Sequence, residues 1–154
     1  MADVFNKAER SVIMSKVRSK GNKTTELRLI EIFNQQGIKG WRRNYPVKGH
    51  PDFVFTKRKI AVFVDGCFWH GHDCRNTRPK VNADFWTAKR EKNMARDKTI
   101  TAYFEKRGWM VLRIWECELK KKNLPELYAK LDNLFVESER GCENEQCRDN
   151  HAIL

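Results

Sequence analysis

The sequence lacks any long apolar run. No window approaches the ~20 apolar residues that a membrane-spanning helix requires, and residues 1–7 contain no apolar signal core. We therefore expect the chain to remain in the cytoplasm, where thiols stay reduced. The five cysteines are an odd number, which disfavours a disulfide framework and leaves metal binding as the better use for them.

Acidic residues are too few to balance the basic ones. The chain has 31 Lys and Arg against 20 Asp and Glu, a formal net charge of +11 over 154 residues. This excess favours a polyanionic partner, above all nucleic acid. The plainer alternative is that the charge only aids solubility. Residues 7–20 and 89–107 concentrate the basic side chains, and we expect both segments to contact phosphates.

Apolar residues recur with helical spacing in some segments and with strand spacing in others. The predicted helices cover residues 6–20 with Asn6 as the cap, 24–37 from Thr24 to Gly37, 83–107 and 124–136. The predicted β-segments cover residues 41–45, 52–55, 60–64 and 109–115. Because helices precede, separate and follow the strands, the pattern predicts an α/β fold.

Composition divides the chain into three parts. Residues 1–22 form a basic N-terminal segment that we expect to contact nucleic acid, and residues 23–136 form the folded domain. Residues 137–154 are polar and have no apolar period. We therefore expect this tail to be flexible.

Three soft metal ligands follow the β-segment at 60–64. Their spacing is Cys67-x4-His72-x-Cys74, and thiolate and imidazole are the donors that zinc prefers. A tetrahedral site needs a fourth ligand, and Cys117 is the best candidate because it follows the β-segment at 109–115. A closed site of four protein ligands is structural, because a catalytic zinc keeps an open position.

Other interpretations of the cysteines remain open. Any one of them can be a small buried apolar residue, although three donors within eight residues make this a weak explanation. Cys142 and Cys147 also lie close together in sequence, but His151 is distant from them. They stay unassigned.

Acidic and histidine side chains are placed at the ends of the central β-segments. Asp52 opens one segment and Asp65 ends the next, so antiparallel pairing would bring both to one edge of a sheet, where carboxylates suit Mg²⁺. His70 can take a proton from water beside a metal-bound phosphate, and Asp97 can orient its imidazole. The alternative is that strand-end Asp residues only form turns and that Asp97 is a solvated helix residue.

Two large aromatic residues, Phe68 and Trp69, lie outside the periodic apolar runs, and a third, Trp86, lies at the start of the basic predicted helix. The usual fate of aromatic side chains is core packing. A rigid apolar group can instead enter a base step and unstack it, at a cost of a few kcal/mol. Both interpretations stay open at this point.

These motifs together resemble the very-short-patch-repair (Vsr) DNA mismatch endonucleases. The resemblance rests on VFVD followed by GCFWHGHDC (residues 62–74), HPD (residues 50–52) and GWMVLRIWEC (residues 108–117). The opening MADV, Arg10-Ser11 and Met14 are also similar. The resemblance covers about residues 1–136, and the run GCFWH together with WEC is highly specific.

The resemblance implies a restriction-endonuclease-like α/β core, with a mixed central sheet flanked by helices and a structural zinc ion. It implies a bacterial, nucleoid-associated enzyme that needs Mg²⁺ and nicks double-stranded DNA 5′ of the thymine in a T:G mismatch left by deamination of 5-methylcytosine. It also implies the site residues. Mg²⁺ is held by Asp52 and the Val64 carbonyl, with Glu26 as an acidic auxiliary. His70 activates water with the support of Asp97. Zinc is held by Cys67, His72, Cys74 and Cys117, and the intercalating rings are Phe68, Trp69 and Trp86.

Glu26 also has a purely structural explanation, since it falls in the first turn of a predicted helix and suits the helix dipole. Two departures from the family pattern concern the acidic site. Asp65 stands where at least one well-known member has a second active-site His, so it either ligates the metal or assists proton transfer. Many related nucleases have Lys two residues later, where this chain has Cys67, so His70 must do the work of that lysine.

Three functional hypotheses follow. The leading one is the endonuclease, the second is a zinc-stabilised DNA-binding module without catalysis, and the third is a nuclease of the same fold that cuts other sites. Only an enzyme needs Asp52 and His70. Because a mismatch is asymmetric and does not require a dimer, we expect a monomer.

Overall fold

A computed structural model describes residues 6–16, 25–72, 74 and 80–144 of the chain. The helices are α1 (Lys7–Lys16), α2 (Glu26–Gln35), α3 (Ala83–Glu105) and α4 (Leu124–Asn144). The strands are β1 (Arg42–Arg43), β2 (Phe53–Phe55), β3 (Ile60–Asp65) and β4 (Met110–Trp115), and two short 3-10 turns, Glu116–Leu119 and Lys121–Asn123, join β4 to α4. None of the helices in this part of the chain is both long enough and apolar enough to cross a membrane.

The four strands form one mixed sheet in the order β1-β2-β3-β4. β1 with β2 and β2 with β3 are antiparallel, whereas β3 and β4 are parallel and aligned so that Asp65 pairs with Trp115. A parallel pair needs a long crossover, and α3 lies within it. The segments that follow β3 and β4 therefore leave the sheet at the same edge.

Helices cover both faces of the sheet. Successive side chains of a strand point to opposite faces, and Val62 of β3 packs with α2 and α4 while Phe63 packs with α3. The α2/α4 side contains Leu29, Phe33 and Leu127, which are fully buried. Burial of each such side chain contributes roughly 1.5–3 kcal/mol. The predicted mixed sheet with flanking helices is confirmed.

The N-terminal helix and the long helix differ in part from the predictions. Asn6 caps α1 as predicted, since its Oδ1 accepts the N–H groups of Ala8 and Glu9, but the helix is described only to Lys16. Thr24 lies outside the described residues. In α3 the predicted apolar face is not continuous, because Phe85 is 60% exposed whereas Phe104 is 1% exposed. The first half of α3 therefore extends beyond the core.

The last helix runs eight residues further than the predicted end at 136. Arg58, in the turn between β2 and β3, contacts Ser138 Oγ at 3.3 Å and Glu139 Oε1 at 3.0 Å. Ser138 is buried. The first residues of the predicted tail are therefore helical, held by contacts distant in sequence that local composition does not reveal. The predicted flexibility of the remainder falls outside the described residues.

Candidate active site and metal cluster

The four predicted soft ligands meet at the edge where β3 and β4 end. One donor atom from each of Cys67, His72, Cys74 and Cys117 lies within 4.8 Å of those of the others, and Cys117 Sγ is 3.6 Å from His72 Nδ1. The His72 ring stacks on Trp115 with centroids 4.4 Å apart. We call these four residues the Cys/His cluster.

The chemistry of the Cys/His cluster suits a bound cation. Burial raises the pKa of the Cys67 thiol to about 12, and burial likewise raises the pKa of Cys117. Without a cation these thiols would therefore stay protonated. Three thiols and one imidazole, grouped this closely, can hold a metal ion.

The carboxylates form a second group beside the cluster. Asp52 precedes β2, and its Oδ2 accepts the Val64 N–H of β3 at 2.7 Å. Burial, followed by the charges of Glu26 and Asp65, raises the pKa of Asp52 from 3.8 to about 6, although the Val64 N–H acts in the opposite direction. Glu26 is itself buried and paired with Arg43 at 2.5 Å. Such a group of hard oxygen donors suits a divalent cation.

His70 lies in the loop after β3 and reaches α3. Its Nδ1 is 2.5 Å from Asp97 Oδ2 and 3.7 Å from Asp65 Oδ1. The three side chains, whose ligand atoms also lie within 4.8 Å of one another, line a cleft of about 300 Å³. The other charged or titratable side chains of this cleft are His50, Arg96 and Arg113. The structure thus brings the predicted His70–Asp97 pair together. We call Asp52, Asp65, His70 and Asp97 the acid–histidine site.

A single glycine separates the ligands of the two groups. Gly71 has φ +75°, and a Cβ at this position would lie 2.7 Å from Met94 Sδ. Only glycine adopts this conformation without strain. The loop can therefore direct His70 to one group and His72 to the other.

Phe68, Trp69 and Trp86, which we call the aromatic cluster, pack edge to face. Their ring centroids are 5.0 to 5.8 Å apart. Each is half-buried, and the two core clusters formed by the described residues do not include them. Core packing therefore does not explain their position. Trp86 lies in the first half of α3, which extends beyond the core, and Phe68 and Trp69 lie in the loop after β3.

Sequence reasoning missed several residues at these sites. Phe85 lies 5.2 Å from the Trp86 ring, the Lys89 ammonium is 5.2 Å from the Trp69 ring, and Asn93 Nδ2 donates to the Trp69 carbonyl at 2.9 Å. Phe85, Lys89 and Asn93 recur every four residues in α3, and this spacing, which places side chains on one face of a helix, was an available signal. Arg113 was missed as well, and its signal was a charge inside an apolar strand.

The architecture, a mixed sheet flanked by helices, has a counterpart in a solved nuclease domain. The fold is similar to the solved catalytic domain of the homing endonuclease I-Bth0305I, with a TM-score of 0.50 and 21% identity over 73% of this chain and 94% of that chain. The family model described as DNA mismatch endonuclease Vsr matches residues 2–76.

Relatives that align over most of their own length support the same family assignment. The type II nicking enzyme V.NmeAIP of Neisseria meningitidis is 41% identical over 79% of this chain and 87% of its own length. V.XorIIP of Xanthomonas oryzae is 38% identical over 88% and 98%, and the DNA mismatch endonuclease Vsr of Escherichia coli K12 is 36% identical over 78% and 77%. The chain belongs to the Vsr DNA mismatch endonuclease family, and it is a DNA endonuclease. The resemblance and the enzyme class are thereby confirmed, and the non-catalytic hypothesis falls.

Proposed function

We propose that this endonuclease nicks one strand of DNA 5′ of the thymine in a T:G mismatch and so initiates very short patch repair. The observation that carries the proposal is that His70 of the acid–histidine site lies in the same loop as Phe68 and Trp69 of the aromatic cluster, between Cys67 and His72 of the Cys/His cluster. Chemistry on a phosphate and separation of stacked bases can then occur side by side. The E. coli relative, named a DNA mismatch endonuclease, supports the mismatch as substrate.

The Cys/His cluster is proposed to hold structural zinc. Its four protein donors would complete a tetrahedron, which leaves no position for a substrate. Mg²⁺ is proposed at Asp52 and the Val64 carbonyl, with Glu26 as an auxiliary. When bound, Mg²⁺ stabilises the negative charge that develops on phosphate oxygens. The raised pKa of Asp52 supports this assignment, because a cation would offset the burial of the charged carboxylate and relieve its repulsion by Glu26 and Asp65.

His70 is proposed as the general base. Its Nδ1 faces Asp97 at 2.5 Å, which leaves Nε2 to accept a proton from the attacking water. Asp97 would fix the ring orientation and the tautomer, as a carboxylate does for other catalytic imidazoles. On this proposal His70 does the work for which many related nucleases use a lysine at the position of Cys67, which is here a proposed zinc ligand.

The aromatic cluster is proposed to enter the duplex beside the mismatch. A mismatched pair costs less to unstack than a matched pair, so rings that separate bases turn this difference into selectivity. The basic residues of α1 and α3 would bind the flanking phosphates. Because the lesion is asymmetric, one copy of the chain suffices, and we propose a monomer that acts in the cytoplasm on nucleoid DNA.

A panel of labelled duplexes tests the proposal. Matched DNA, T:G and other mismatches are incubated with the enzyme in Mg²⁺ or EDTA, and the nick is mapped on both strands. We expect one nick, 5′ of the mismatched thymine, and only with Mg²⁺. Equal nicking of matched duplex would instead favour the second candidate, a nuclease of the same fold that cuts intact sites; two of the relatives are named as nicking enzymes without mention of a mismatch.

A further inference from the structure

Arg113 is a largely buried cation within an apolar strand. It occupies the face of β4 that is directed towards α3, its guanidinium lies 4.6 Å from the Phe63 ring centre, and its side chain is 19% exposed. Such a charge is costly unless it is paired. The proposed reaction assigns it no role.

The guanidinium joins two elements of the active site. Nη1 donates to Asp65 Oδ2 at 2.7 Å. Nη2 lies 3.5 Å from Asp97 Oδ1 and donates to the Asp97 carbonyl at 3.3 Å. Nε donates to Thr101 Oγ1 at 3.4 Å. Arg113 therefore ties the end of β3 to the middle of α3, where the partner of His70 is located.

Two carboxylates lie near the His70 imidazole. Its Nδ1 is 2.5 Å from Asp97 Oδ2, and Asp65 Oδ1 is only 3.7 Å away. A rotation of the ring or a small movement of Asp65 would exchange the two acceptors. Arg113 donates to the other oxygen of Asp65, Oδ2. This contact keeps the Asp65 carboxylate from moving closer to His70 Nδ1.

We propose that Arg113 is a positioning residue for the reaction. By pairing with Asp65 it prevents that carboxylate from competing for the His70 N–H, and by contacting Asp97 it secures the correct acceptor. Asp65 is then the counter-ion of Arg113, and neither a Mg²⁺ ligand nor a proton-transfer group. This inference rests on the proposed role of His70 in nicking.

The test is a compensation experiment. In Arg113→Met, Asp65 is released, and the nicking rate of bound T:G duplex should fall roughly 10- to 100-fold, as expected when a catalytic group is misplaced. Affinity for the same duplex should change little. Adding Asp65→Asn removes the competing charge, so the double variant should nick faster than Arg113→Met alone. Arg58→Met, which removes an ion pair at the opposite end of β3, should nick at the wild-type rate.

Several results would overturn the proposal. A double variant no faster than Arg113→Met would mean that Asp65 is not the competitor, and a parallel loss of affinity would make Arg113 a DNA contact. If Asp65→Asn alone raises the Mg²⁺ concentration needed for half-maximal nicking, Asp65 is a metal ligand. Should Arg113→Met fail to fold, Arg113→Lys takes its place, since one ammonium can hold Asp65 without bridging to Asp97. A smaller loss is then expected, which Asp65→Asn should not relieve because the lysine still holds Asp65, and no loss would contradict the bridge to Asp97.

A measurement without DNA separates this inference from the proposed function. The hydrogen-bonded His70 Nδ1 proton should give a downfield NMR resonance that Asp97→Asn abolishes. Arg113→Met should move it, and the double variant should restore it. If the wild-type enzyme does not nick, the proposed function fails while this resonance still decides the role of Arg113. An unmoved resonance in Arg113→Met would refute that role.

Discussion

The Cys/His cluster and the acid–histidine site draw on one short loop but differ in chemistry. Residues 67, 72 and 74 belong to the cluster, and residues 65 and 70 belong to the acid–histidine site. The loop reverses tightly, since His70 N donates to Gly66 O at 3.2 Å and His72 N to Cys67 O at 3.0 Å. The cluster gathers soft donors that could hold a metal ion, whereas at the other site Arg113 is paired with carboxylates. One loop can thus carry a structural group and a reactive group without mixing their ligands.

The largest expected effect comes from breaking the cluster. In Cys117→Ser the bound metal should be lost and the fold destabilised, because the energy of metal binding is also folding energy. Nicking and DNA binding should fail together. Metal analysis and thermal melting measure the loss, and Cys142→Ser, a cysteine assigned no role, serves as the control. Full metal content and an unchanged Tm in Cys117→Ser would contradict the cluster assignment.

Removing a carboxylate should affect the acid–histidine site alone. In Asp52→Ala, Mg²⁺-dependent nicking should be abolished because the charge that positions the metal acts in the transition state. DNA affinity and metal content of the Cys/His cluster should stay at the wild-type level. Asp132→Ala, an exposed acid of α4, should retain activity. Full nicking by Asp52→Ala would remove this residue from the site.

Loss of the proposed base should cost less than loss of the metal ligand. His70→Ala should lower the nicking rate by ~10²–10⁴-fold, the usual contribution of a general base. Asp97→Ala should cost less, because it only orients the imidazole. Single-turnover rates at saturating DNA measure both, and a larger effect for Asp97→Ala would reverse the assigned roles.

The cost of ionising the buried Asp52 carboxyl should appear in the pH dependence of the free energy of unfolding. A carboxyl with a pKa raised from 3.8 to about 6 in the folded state gives stability that is complete below pH 3.8 and is lost as pH rises through 6. At pH 8 the ionised group costs up to about 3 kcal/mol, at about 1.4 kcal/mol per pKa unit. In magnesium-free buffer, Asp52→Asn should therefore be more stable than wild type at pH 8. Urea unfolding should show that the difference in the free energy of unfolding between Asp52→Asn and wild type becomes smaller towards pH 5. A difference that is the same at all pH values would exclude ionisation of Asp52 as its cause.

The smallest effect concerns the aromatic cluster. Trp69→Ala should reduce the preference for mismatched over matched duplex by about tenfold, within the 1–3 kcal/mol of one base-stacking contact, and should leave non-specific binding nearly unchanged. Trp41→Ala, which removes a ring packed against the core, should lower Tm without changing this preference. Equal loss of affinity for both duplexes in Trp69→Ala would indicate a packing role.

Sequence patterns predicted the sheet and the Cys/His cluster better than they predicted the ion pairs that Arg113 makes. Cys117 lies beside the other three soft donors, as expected, because a soft donor follows each of two apolar β-segments and neighbouring strands bring those donors together. Arg113 escaped because its partners, Asp65 and Asp97, lie 48 and 16 residues away. The two halves of α3 have similar composition, yet only the second reaches the core. The local sequence of a helix does not indicate which part of it lies over the sheet and which part extends beyond the edge of the sheet.

The sequence by itself determined the donor types, the segments that form strands and helices, and the basic charge, because these depend on side-chain chemistry and local periodicity. The sequence also suggested Asp97 as the partner of His70, but only the tertiary structure decided how close Asp65 lies to that imidazole and which cation neutralises Asp65. Those choices depend on the parallel pairing of β3 with β4 and on the position of α3 over one face of the sheet. Both result from burial of apolar side chains far from the site. The geometry of the reactive groups is therefore set by packing contacts in the core and not by the reactive groups themselves.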